Sequence, residues 1–77
     1  MNTERKERLG WIIDCIDNDL DNLEGLLMGL EHAYNGLPEE TKQTFAGQAM
    51  SEDVHDLWEL YKAGVDYLNK LKNFKEQ

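Results

Sequence analysis

A chain of 77 residues holds one domain, and at this size it buries only about 60% of its unfolded surface, so residues 1–77 are expected to form a single helical domain that gains from a partner. Sixteen acids against eight bases leave a net charge of −8, which excludes the basic footprint that direct nucleic-acid binding needs. Cys15 stands alone, so neither an intrachain disulfide nor a multi-cysteine zinc site is available and a reducing cytosol is the expected home; no apolar run approaches the roughly 20 residues of a membrane span, and the one after Arg8, Leu9 to Ile13, is too short for a signal-peptide core.

The first predicted element is a long helix over about residues 4–35. Its apolar residues fall at Leu9, Ile13, Ile16, Leu20, Leu23, Leu27, Leu30 and Tyr34, with steps alternating four and three, an unbroken heptad seam. Asn2 or Thr3 can cap its start, with Glu4 and Glu7 in the first turn where the helix dipole favours acids. Asn35-Gly36-Leu37-Pro38 is the expected stop: Gly36 suits a left-handed C′ position and Pro38 blocks continuation.

Pro38 also suits the first turn of a second, short helix over about 38–49, weakened by Gly47. Ser51 is the expected cap of a third helix over about 52–75, whose first turn carries Glu52, Asp53 and Asp56 and whose last turns carry Lys70, Lys72 and Lys75. Its apolar positions include Val54, Leu57, Trp58, Tyr61, Val65, Leu68 and Leu71. There is no strand-like alternation, so the fold class is all-α, a helical hairpin with a short corner helix.

Each long helix carries an apolar arc of about 200°, wider than one hairpin partner can cover. Self-association is therefore expected, most simply as two hairpins forming a four-helix bundle, with Leu9, Ile13, Ile16, Leu20, Leu23, Leu27, Leu30, Tyr61 and Leu68 as its seam.

Chemistry-bearing patterns are few. Asp17, Asp19 and Asp21 alternate like the first ligands of an EF-hand loop, but Asn22 stands where that loop needs Gly and Met28 where it needs a bidentate Glu. Leu20, Leu23 and Leu27 also pass through it as a helix. On that helix Asp14, Asp17, Asp21, Glu24 and Glu31 form one acidic stripe, and residues 9–41 hold no lysine or arginine to neutralise it. A stripe of like charges is either a solubilising face or a docking surface for a cationic partner. Asp19 falls apart from it on the apolar flank, at the rim of any interface formed there. Trp11, on the outer margin of the helix, would mark an interaction patch if exposed.

Glu52 and His55 match the Glu-x-x-His element of carboxylate metal bundles, for which Glu24 or Glu31 could add a ligand, but both are turned toward the edges of the seam. Cys15 beside Asp14 and Asp17 lacks the electropositive surroundings of a reactive thiol. No phosphate loop or nucleophile arrangement is present, and neither a cofactor nor a metal is implied. In size, acidity and seam the chain resembles small helical regulators and phage-type inhibitors in general character. The expected function is non-enzymatic: a cytoplasmic homodimer whose acidic stripe meets a protein with a basic surface. The alternatives are a nucleic-acid mimic that inhibits a DNA- or RNA-binding protein, and a carboxylate and histidine metal-binding bundle.

Overall fold

A computed structural model describes residues 2–77 as three helices: α1, Thr3–Asn35; α2, Glu39–Lys42; and α3, Phe45–Glu76. No strand occurs among the described residues. The long helices α1 and α3 run antiparallel as a hairpin measuring 58 × 15 × 13 Å. Gly10 lies against the Lys75 ammonium, and a Cβ on Gly64 would meet Leu20 at 2.9 Å, so the register pairs residues whose numbers add to about 85.

The heptad seam holds this hairpin together. Ile13, Leu27, Val54 and Leu68 are buried, and Leu9, Ile16, Leu20, Leu23, Leu30 and Tyr34 of α1 are half-buried against Leu57, Trp58, Tyr61, Val65 and Leu71 of α3. Within one chain the seam residues are thus used between α1 and α3. What a second copy could meet is the flank beside them.

The ends of the elements differ from expectation at three points. Gly36 has φ −81° and no described residue has positive φ; α1 stops because Pro38 drives the chain into extended conformation, with Leu37 N–H bonded to the Tyr34 carbonyl at 3.1 Å. The second helix is one turn long and does not reach residue 49. The third starts seven residues earlier than expected, because Thr44 is its cap: the hydroxyl accepts from Gly47 N–H at 3.1 Å and donates to the Thr41 carbonyl at 2.6 Å. Ser51, the expected cap, is an exposed mid-helix residue. Gly47 serves as a close-approach point, since a Cβ there would overlap the carbonyl oxygens of Thr41 and Lys42. That contact folds α2 back on α3. At the other end, Asn2 is the cap of α1, its Oδ1 accepting from Arg5 N–H at 2.8 Å.

Candidate functional site

The antiparallel packing gives the hairpin two broad sides. One follows the acidic edge of α1, where Asp14, Asp17, Asp21, Glu24 and Glu31 are all exposed. Two of these carboxylates are held from α3: Tyr61 Oη donates to Glu24 Oε2 at 2.6 Å, and Trp58 Nε1–H donates to Glu31 Oε2 at 2.9 Å. The donors brace each other, with ring centroids 5.6 Å apart and planes at 89°, the edge-to-face arrangement aromatic pairs prefer.

None of the five carboxylates is in an ion pair. The ion pairs among the described residues join Arg8 to Glu4, Lys42 to Glu39 and Lys62 to Glu59, His55 lies within 4 Å of Asp56 and Glu59, and none of these contacts touches the stripe. Its field is felt by Tyr61. The hydrogen bond to Glu24 raises the phenol's pKa most, followed by desolvation and then by the charges of Glu24, Asp21 and Asp17.

Beyond Glu31 lies a cleft of about 260 Å³ lined by Tyr34, Ser51, Val54, His55 and Trp58. His55 shares that cleft with Glu31 but sits 3.6 Å from Asp56 and 3.8 Å from Glu59 on its own helix, and Glu52 is exposed. No three His, Cys, Asp or Glu side chains among the described residues are arranged to hold a metal ion. The supposed calcium loop is continuous helix within α1, and Cys15 is exposed.

The opposite side of the hairpin is apolar. Ile12 of α1 and Phe74 of α3 line a cleft of about 320 Å³ with Leu9, Arg5 and Arg8. Heptad steps from that pair, forward along α1 and backward along α3, lead to Asp19 and Tyr67 and then to Leu26 and Leu60. Leu26, Leu60 and Tyr67 are 73%, 66% and 59% exposed. Asp19 is an exposed charge in the middle of this stripe. Trp11 is exposed on the outer surface of α1, beyond the stripe's edge.

The sequence alone places Asp19 on the apolar flank of α1, but not the continuation of that flank by Leu60, Tyr67 and Phe74 of α3. Their seven-residue spacing was the available signal. Nor does the sequence place Trp58 and Tyr61 as donors to the acidic edge, which depends on the pairing of the helices. No protein-family model matches the chain, and no curated protein or solved structure is significantly similar to it.

Proposed function

We propose that this chain is a non-enzymatic binding protein, working as a cytoplasmic homodimer, that docks a protein partner with a basic surface on its acidic side. The observation that carries the reading is that Asp14, Asp17, Asp21, Glu24 and Glu31 share one edge of α1 and none of them is in an ion pair, while Tyr61 and Trp58 fix the carboxylates of Glu24 and Glu31. Like charges at helical spacing repel by a few tenths of a kcal/mol per pair. A partner presenting Arg or Lys relieves that repulsion and finds two acceptors already positioned.

Pull-down from the native host tests this, with wild type compared against a variant carrying Asp14→Asn, Asp17→Asn, Asp21→Asn and Glu24→Gln. The partner should be held by wild type at low salt and lost by the variant. An unchanged set of captured proteins sinks the reading.

The second reading, a nucleic-acid mimic, draws on the same ladder. Five carboxylates span about 26 Å at ~1.5 Å per residue, where one strand of a duplex presents about seven or eight phosphates. The ladder is sparser than its model. Competition settles the matter: a mimic's partner is displaced by duplex DNA or RNA, and an ordinary basic partner without nucleic-acid affinity is not.

A further inference from the structure

We infer that the apolar side, the stripe of Ile12, Leu26, Leu60, Tyr67 and Phe74, is covered by a second copy of this chain in antiparallel orientation, about a two-fold axis at the level of Asp19 and Tyr67. The inference rests on the homodimer of the proposed function and specifies its face, direction and axis.

Surface area is the first support. The chain exposes 5966 Å², whereas a compact monomer of 9.0 kDa exposes about 4,900 Å². Its radius of gyration is 17.5 Å, against about 11–12 Å for a globule of this length. The excess of roughly 1,100 Å² exceeds the ~800 Å² that each partner buries in a stable interface. A second hairpin laid along the first removes it and gives the usual four-helix cross-section.

Shape is the second. The stripe is symmetric about its centre, because Asp19 is midway between Ile12 and Leu26, and Tyr67 midway between Leu60 and Phe74. Reversing one copy about that level sets the projecting Leu26 and Leu60 of each chain over the cleft between Ile12 and Phe74 of the other. Each knob then has a hole.

Charge is the third and chooses the direction. At the open end, residues 2–13 and 70–77 hold six bases against three acids, while residues 28–59 around the turn hold seven acids against Lys42 alone. A parallel pair stacks like ends. An antiparallel pair sets the basic open end of each copy on the acidic turn end of the other, and the register brings Arg5 to the level of Asp53 and Arg8 to the level of Asp56 of the second copy. At the axis the two Asp19 carboxylates approach, beside the Tyr67 hydroxyls that can donate to them. Asp19 is then the residue that limits affinity.

Analytical ultracentrifugation and crosslinking test the arrangement, with circular dichroism confirming that each variant stays helical. Wild type should be a dimer at micromolar concentration. Leu26→Asp with Leu60→Asp should be monomeric and helical, and Asp19→Asn should tighten the dimer several-fold. Arg5→Glu with Arg8→Glu should weaken it at least tenfold, as should Asp53→Arg with Asp56→Arg, and the four changes together should restore it. Asp19→Cys in a Cys15→Ser background should form a disulfide dimer on mild oxidation, since the antiparallel axis passes at the level of residue 19 and brings it to its own copy.

A wild type that stays monomeric at tens of micromolar overturns the inference, as does a dimer indifferent to Leu26→Asp with Leu60→Asp, charge reversals that fail to rescue one another, or failure of Asp19→Cys to crosslink. A monomer that still loses its basic partner when the acidic stripe is neutralised overturns the dimer and keeps the docking reading. A confirmed dimer whose captured proteins ignore the stripe does the reverse.

Discussion

Tyr61 of α3 donates its phenolic proton to Glu24 of α1 across 2.6 Å, a bond joining the two long helices outside their apolar seam. It exists only while the phenol is protonated. Because the folded-state pKa is raised above 10.0, chiefly by that bond, its stabilising effect is fully present below pH 10 and fades as pH rises through the folded value. Thermal melts should therefore show Tyr61→Phe less stable than wild type at pH 7, with the gap closing above pH 10. A gap that stays constant to pH 11 would mean the bond contributes nothing in solution.

The glycines divide sharply. Gly47 has carbonyl oxygens of Thr41 and Lys42 where a Cβ would go, so Gly47→Ala must move α2 off α3, at a cost of about 1–3 kcal/mol. Gly25 and Gly29 have open space around theirs, and Ala at either should stabilise the helix by about 0.5–1 kcal/mol. Melting temperatures of the three single variants check this; the same sign for all three would refute it.

Adjacent leucines separate folding from assembly. Leu27 is 3% exposed and Leu26 73%. Leu27→Ala should cost about 2–5 kcal/mol, much of the ~4–12 kcal/mol that a chain of this length has, and helical signal should fall at 25 °C. Leu26→Ala should leave the helical signal unchanged at denaturant-free equilibrium. Urea titration followed by circular dichroism, carried out below the concentration of any dimer, distinguishes the two.

Thr44 and Ser51 exchange the roles that sequence inspection assigns them. Thr44→Ala removes the cap of α3 and should cost about 1 kcal/mol, whereas Ser51→Ala, mid-helix and exposed, should be neutral or slightly stabilising. Denaturant midpoints for the pair provide the measurement, and a larger loss at Ser51 would move the helix start back to residue 52.

The acidic stripe and the span of α1 could be read directly from the chain because both depend on spacing along one helix. Leu9 to Tyr34 repeat at the helical period whatever they pack against, and Asp14, Asp17, Asp21, Glu24 and Glu31 share a side for the same reason. Ser51 followed by Glu52 and Asp53 is the stronger local cap signature than Thr44 followed by Phe45. Thr44 prevails because Gly47 lets α3 begin against the Thr41 and Lys42 backbone, a contact between elements that no local pattern encodes.

What the sequence determined by itself was an all-α chain with a heptad seam, an acidic edge without bases and a proline stop, since helical period and proline geometry act within a few residues. Only the tertiary structure decided which side of each helix the hairpin spends and which it leaves open. The antiparallel register, set by Leu20 against Gly64 and Gly10 against Lys75, brings Tyr61 and Trp58 to the acidic edge. That same register joins Ile12 to Phe74 on the other side, because faces combine only when two helices are fixed in rotation and level.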